Sequence, residues 1–94
     1  IPNKTINTIC DGLRAEIGSK TFPVIKNLVD GIVTVGEEDI IESLRMIWER
    51  MKIIVEPSCS ISLAMVIKNR SIFKGKNVGL IISGGNIDLD SLPW

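Results

Sequence analysis

The residues of this chain best suited to chemistry lie in two short runs, Ser83-Gly84-Gly85-Asn86 and Glu56-Pro57-Ser58. The first follows Val78-Gly79-Leu80-Ile81-Ile82, an apolar run without alternation. That is the pattern of a strand buried on both faces, as in a parallel sheet covered by helices. In open α/β sheets, ligands bind in the crevice beyond the carboxyl ends of the strands. Glycines there let backbone approach a ligand closely or take positive φ. A hydroxyl followed by Gly-Gly-Asn is therefore a candidate ligand contact, with an ordinary strand-ending turn as the plainer alternative. The second run carries a carboxylate held extended by the proline after it. The bland reading of Glu56 is an exposed turn carboxylate.

The sequence contains no His and no Tyr, so histidine base catalysis and histidine metal ligation are excluded within it. Any chemistry must use carboxylates, Lys, Ser, Cys, backbone amides or a cofactor. Cys10 and Cys59 are too few and too far apart for a disulfide framework or a zinc site, and Cys59 reads as a small buried hydrophobe with nothing basic beside it. A reducing, cytoplasmic setting is the default expectation. Glu37-Glu38-Asp39 reads as a helix-start charge cluster and not as a metal site.

Composition narrows the classes further. The 94 residues suffice for one small domain, 45% are apolar, and Lys+Arg and Asp+Glu number 11 each. With no basic stripe and no basic amphipathic helix, neither a nucleic-acid nor a membrane-surface partner is expected. No apolar run approaches the roughly 20 residues that span a bilayer.

The elements that must position these residues alternate along the chain. Ile1 to Ile9 reads as an irregular lead-in, rich in turn chemistry. It does not begin like a domain, and the true amino terminus is expected upstream. Asp11 to Gly18 is consistent with a short helix closed by glycine. Thr21 is positioned to cap a helix over Phe22 to about Val29, with Pro23 in its first turn. Ile32-Val33-Thr34-Val35 is a β-branched strand candidate. Gly36 then takes the N-cap of the clearest element, a helix from Glu37 to about Lys52. Ile40, Ile41, Leu44, Ile47, Trp48 and Met51 recur at helical spacing and predict one buried stripe. Ile53-Ile54-Val55 is a brief extended segment. Ser58 is placed to cap a helix from about Cys59 to Lys68, which is apolar nearly all round and so belongs inside a larger protein. A polar turn around Gly75 leads to the strand ending at Ser83. The expected fold class is α/β: part of a three-layer αβα domain with a mostly parallel sheet, incomplete in this chain.

Asp11-Gly12-Leu13, Thr21-Phe22-Pro23-Val24-Ile25, Trp48-Glu49-Arg50-Met51-Lys52, Glu56-Pro57-Ser58 and Ser83-Gly84-Gly85-Asn86 with Asp88-Leu89 occur in that order. Together they resemble the carboxyl-terminal third of the serine/threonine dehydratase and serine racemase family, pyridoxal-phosphate enzymes of the tryptophan-synthase-β type. The resemblance covers essentially residues 1–94 and implies that they are a carboxyl-terminal segment of the catalytic domain. It implies that Ser83 hydrogen-bonds the pyridine nitrogen of the cofactor, with Gly84 and Glu56 beside the cofactor. In animal racemases the residues matching Lys52 and Asn86 help bind an effector nucleotide between subunits. Gly36 and Cys59-Ser60 depart from the family's usual residues.

The resemblance also implies what lies elsewhere: the cofactor-anchoring lysine, the serine on the opposite cofactor face, the glycine-rich phosphate cradle and the divalent-metal carboxylates. No catalytic residue and no metal ligand is therefore assigned in this chain. The implied partners are the amino-terminal part of the same enzyme, a small amino-acid substrate and, as is usual in the family, a second subunit in a homodimer. The implied reaction is loss of water and ammonia from L-threonine or L-serine to give a 2-oxo acid, with the chain alone inactive. Serine racemisation and hydroxyaspartate dehydration are alternatives within the family. The alternative outside it is a non-catalytic, self-associating α/β fragment with a structural or binding role.

Overall fold

Residues 6–94 are described by the computed structural model, so part of the lead-in expected for Ile1–Ile9, residues 1–5, lies outside the described residues. The organising element is the helix α2, and the order around it is α1 (Thr21–Leu28), α2 (Glu37–Met51), α3 (Pro57–Lys68) and α4 (Arg70–Phe73). Single 3-10 turns at Asp11–Leu13 and Leu89–Ser91 flank the set.

α2 starts where the sequence predicts. Gly36 is extended (φ −81°, ψ 160°), and its N–H donates to Asp39 Oδ2 at 3.0 Å. Glu37, Glu38 and Asp39 stand at the positive end of the helix dipole. The helix stops at Lys52, which takes the left-handed conformation (φ 59°, ψ 33°) and donates its N–H to Trp48 O at 3.1 Å. Ile40, Leu44 and Ile47 are buried as expected, while Ile41 and Trp48 are half-buried. Met51 is exposed, because the left-handed turn at Lys52 carries the chain away from it. The sequence reading missed Ser43, which is buried on the same face.

α3 begins two residues earlier than expected. Pro57 occupies the first helical position and Glu56, not Ser58, is the N-cap. Proline suits that position because its missing N–H has no intrahelical acceptor. Ser58 Oγ instead donates to Glu56 Oε1 at 2.8 Å. α3 packs on α2 through its small residues: Cys59, Ser60 and Ala64 are buried. Ser60 Oγ lies 3.1 Å from Ile40 O and 2.8 Å from Pro57 O. Lys68 Nζ meets Asp39 Oδ2 at 2.6 Å. The core is the cluster of Leu44, Ile47, Val55 and Cys59, flanked by Trp48, Leu63 and Ile87. The remaining apolar residues of α3, among them Ile61, Met65, Val66 and Ile67, are only half covered.

Two further expectations change. Thr21 is the first residue of α1 and makes no side-chain cap; the amides of Thr21 and Phe22 bond to Gly18 O at 3.1 and 3.0 Å. The helix anticipated over Asp11–Gly18 contracts to the 3-10 turn Asp11–Leu13. Ser71–Lys76, read as a polar turn, holds most of α4 before Gly75 turns the chain at φ 74°.

No strand forms among the described residues. Ile32–Val35 and Val78–Ile82 form no regular element and make no backbone–backbone hydrogen bond there. One bond, Glu56 N–H to Gly84 O at 3.1 Å, joins the extended segments around Ile53–Val55 and Ser83. A single bond is a contact and not a ladder, which needs backbone groups on a neighbouring strand. The burial on both faces expected for the Val78–Ser83 run is likewise not met among the described residues, where Ile81 is 84% exposed; in the other segment Ile32 is 81% exposed. The total accessible surface is 7660 Å² for 10.3 kDa, against about 5,400 Å² for a compact monomer of that mass. Exposed apolar residues contribute to the excess, among them Phe22, Val24 and Leu28 of α1 and Ile32, Ile54 and Ile81 of the segments between helices.

That excess predicts that residues 1–94 alone will self-associate or bind apolar dyes, and will not unfold as a cooperative monomer. Sedimentation with denaturant titration checks this; a monodisperse monomer with a sharp transition would contradict it. A second prediction concerns Asp39. Its hydrogen bond from Lys68, then that from the Gly36 N–H, holds its carboxyl below the ordinary 3.8. A depressed folded pKa stabilises above the unfolded value and is lost as pH falls through the folded one. Asp39→Asn should therefore be less stable than the parent near pH 6, and the gap should close below pH 3.8. A gap unchanged down to strongly acidic pH would refute the assignment.

Candidate functional site

Three pieces of backbone meet beside the amino-terminal end of α3. The Trp48 indole N–H donates to Val55 O at 3.0 Å, fixing the extended segment that delivers Glu56. Trp94 packs edge-on against Trp48 with ring centroids 5.4 Å apart, a favoured aromatic geometry. The Ser83–Gly84 segment then docks on this support. Glu56 donates its N–H to Gly84 O. Cys59 Sγ accepts the N–H groups of Ser83 at 3.3 Å and of Gly84 at 3.0 Å, and its thiol lies 3.1 Å from Gly84 O as donor.

This approach requires glycine at 85, and at 84 any larger residue would have to displace the Glu56 carboxylate. A Cβ on Gly84 would fall 2.8 Å from Glu56 Oε1, and one on Gly85 would fall 2.9 Å from Ile54 O. The second contact is with backbone, which cannot swing aside. The Glu56 carboxylate therefore sits over Gly84, half-buried, with the Ser58 hydroxyl as its partner. The hydroxyl donor offsets part of the cost of taking the carboxylate out of water.

Ser83 itself is exposed. Its hydroxyl has Cys59 Sγ as its nearest polar side-chain partner, at 3.6 Å. That is a loose contact, since the sulfur is already engaged by two amides and Gly84 O. Ser83 Oγ is thus held at the end of a fixed backbone segment with its hydrogen-bonding capacity largely unspent.

Ser83, Gly84 and Glu56, expected together, do come together. Asn86 and Glu56 line one cleft of about 280 Å³, along with Asp11, Gly12, Ser58 and Asp88. Lys52 does not line it; it lies at the exposed carboxyl end of α2. No lysine lines this cleft among the described residues, so the arrangement can donate and accept hydrogen bonds but offers no amine nucleophile. The sequence reading missed Cys59 as a structural partner of Ser83, because nothing in either stretch announces a contact across that separation. Cys10 is also buried, and burial pushes its thiol up, away from nucleophilic use. Both cysteines are free. No helix among the described residues is long and apolar enough to cross a membrane.

Serine racemase of Dictyostelium discoideum is 50% identical over 90 residues, covering 92% of this chain and 27% of the racemase. The crystal structure of that racemase matches with a TM-score of 0.81 and 47% identity, covering 90% of this chain and 29% of the other. The beta-hydroxyaspartate dehydratase of Paracoccus denitrificans is 41% identical over 87 residues, covering 93% of this chain and 28% of the dehydratase. The crystal structure of a threonine deaminase from T.th. matches with a TM-score of 0.73 and 36% identity, over 88% of this chain and 30% of that one. The chain thus spans less than a third of the length of these relatives. Its likeness to these α/β enzymes places it in that fold class. The family model described as pyridoxal-phosphate dependent enzyme matches residues 1–84, and the chain belongs to that family.

Proposed function

We propose that residues 1–94 are the carboxyl-terminal segment of the catalytic domain of a pyridoxal-phosphate-dependent lyase. That enzyme would remove water and ammonia from L-threonine or L-serine to give a 2-oxo acid. In this reading the rest of the enzyme supplies the cofactor-anchoring lysine. It also supplies the strands that pair with Val78–Ser83, completing a mostly parallel sheet in a three-layer αβα domain. The working protein is a homodimer in a reducing, cytoplasmic setting.

One observation carries the proposal: the docked Ser83–Gly84 segment presents an exposed hydroxyl whose one side-chain contact is the loose one to Cys59 Sγ at 3.6 Å. These residues fit a flat heteroaromatic cofactor, since its ring nitrogen needs one hydrogen-bonding group and its face needs backbone without side chains. Bound pyridoxal phosphate supplies an electron sink for the substrate α-carbon. The part of Ser83 is to donate a hydrogen bond to the ring nitrogen. An alcohol is too weak an acid to protonate it, so the nitrogen stays neutral. Gly84 and Glu56 would stand beside the cofactor, with the Glu56 carboxylate held by the Ser58 hydroxyl. With a neutral ring nitrogen the group would supply a weaker electron sink, which would favour elimination of the β-hydroxyl. Asn86 lines the neighbouring cleft and Lys52 lies outside it at the exposed end of α2; in this reading both would contribute to an effector-nucleotide site.

Serine racemisation is the second reading, favoured by the 50% identity to a serine racemase. Hydroxyaspartate dehydration is the variant favoured by the dehydratase relative. Assaying the full-length protein for ammonia and 2-oxo acid from L-serine, L-threonine and hydroxyaspartate, and for D-serine from L-serine, separates them. Ammonia release from L-threonine or L-serine is expected to dominate, and residues 1–94 alone should release none. Ser83→Asp, whose carboxylate can keep a proton on the ring nitrogen, should lower elimination relative to racemisation. An unchanged ratio would count against the neutral-ring account, and ammonia release by residues 1–94 alone would overturn the assignment of the missing chemistry to the rest of the enzyme.

A further inference from the structure

We infer that Cys59 is a positioning residue for Ser83, holding through its sulfur the backbone turn that aims the serine hydroxyl; this rests on the cofactor role proposed for Ser83. The geometry is specific to that turn. One sulfur atom takes the N–H of Ser83 at 3.3 Å and of Gly84 at 3.0 Å, and its thiol faces Gly84 O at 3.1 Å. Without it, the amides of Ser83 and Gly84 would lose their partner. Glu56 N–H would remain as the sole backbone bond to Gly84.

Cys59 is suited to this task for three reasons. It is buried in the α2–α3 core cluster, so its sulfur is anchored by packing on one side while facing Gly84 on the other. Its place in the first turn of α3 puts its sulfur beside Glu56, whose N–H holds Gly84 O, so both contacts act on the same stretch of backbone. A thiol is also a weak donor with a large, polarisable acceptor. It can gather two amides and still leave the Ser83 hydroxyl, 3.6 Å away, available to a ligand. Cys59 does not touch the reacting atoms in this account. It acts through Ser83.

The test is a double-mutant cycle in the full-length holoenzyme with Cys59→Ala, Ser83→Ala and the pair. The readout is the rate of pyridoxal-phosphate loss to an excess of scavenging apoenzyme, followed by absorbance. Each single change should speed cofactor loss about three- to tenfold, the worth of one net hydrogen bond. Cys59→Ala should add little once Ser83 is Ala, because residues acting through one another are not additive. Amide exchange in the cofactor-free protein provides a second reading. Cys59→Ala should speed exchange at Ser83 and Gly84 while leaving Leu44 and Ile47 unchanged. Should Cys59→Ala not fold, Cys59→Ser takes its place in the same cycle, with oxygen on a shorter bond giving a smaller effect in the same direction. Additive effects, or exchange quickened equally in α2, would reduce Cys59 to a packing residue and overturn the inference. Unchanged cofactor loss in Ser83→Ala would overturn the ring-nitrogen reading and the inference with it, and the exchange data would then show whether the Cys59 contact itself survives.

Discussion

The docking of Gly84 against Glu56 and Cys59 is the contact on which the rest depends. Extended backbone has no means of holding its own position, because its amides and carbonyls need partners beyond the segment. In this chain those partners are one amide of an N-cap residue and one sulfur. Both belong to the start of α3, where Pro57 at the first helical position fixes the backbone. The Ser83–Gly84 segment thus borrows its order from a helix. The close approach explains why glycine stands at both positions after Ser83, since either Cβ would enter occupied space.

α3 in turn is placed by α2. Ser43, Ser60 and Ala64 are small, so little side-chain bulk keeps the two helices apart, and the Leu44–Ile47–Val55–Cys59 cluster fills the seam. Trp48 spans the junction, with its ring in the core and its N–H on Val55 O. Trp94 braces the other side of that ring, so the end of the described chain reaches back to the segment carrying Glu56. The same architecture leaves α1 and the extended runs bare. Their apolar surface is consistent with a chain that spans less than a third of its relatives.

Much of this was legible in the sequence, for local reasons. α2 announced itself by periodicity, by the glycine before it and by three acids in its first turn. Ser83, Gly84 and Glu56 were named from a strand-end turn, a Glu-Pro-Ser run and a family resemblance, and the fold does bring the three together. The illegible parts depended on distant contacts. Whether Val78–Ile82 pairs as a strand is decided by neighbours and not by its β-branched content, and among the described residues no neighbour is present. Ser58 looked like a cap because serine often is one, yet the carboxylate two residues before it drew its hydroxyl. Thr21 lost its capping role because the chain was already turning at Gly18. Cys59 carried no local signal, since a cysteine in a first helical turn reads the same whether it fills space or binds a turn far along the chain.

The central claim is that the Ser83 hydroxyl faces an unprotonated ring nitrogen of the cofactor. Nitrogen-15 NMR of the full-length protein, reconstituted with ring-labelled pyridoxal phosphate, addresses it directly. The account predicts the chemical shift of a neutral, hydrogen-bonded pyridine nitrogen that moves toward the unbonded value when Ser83 is replaced by Ala. A protonated nitrogen, or a shift indifferent to that replacement, would contradict it.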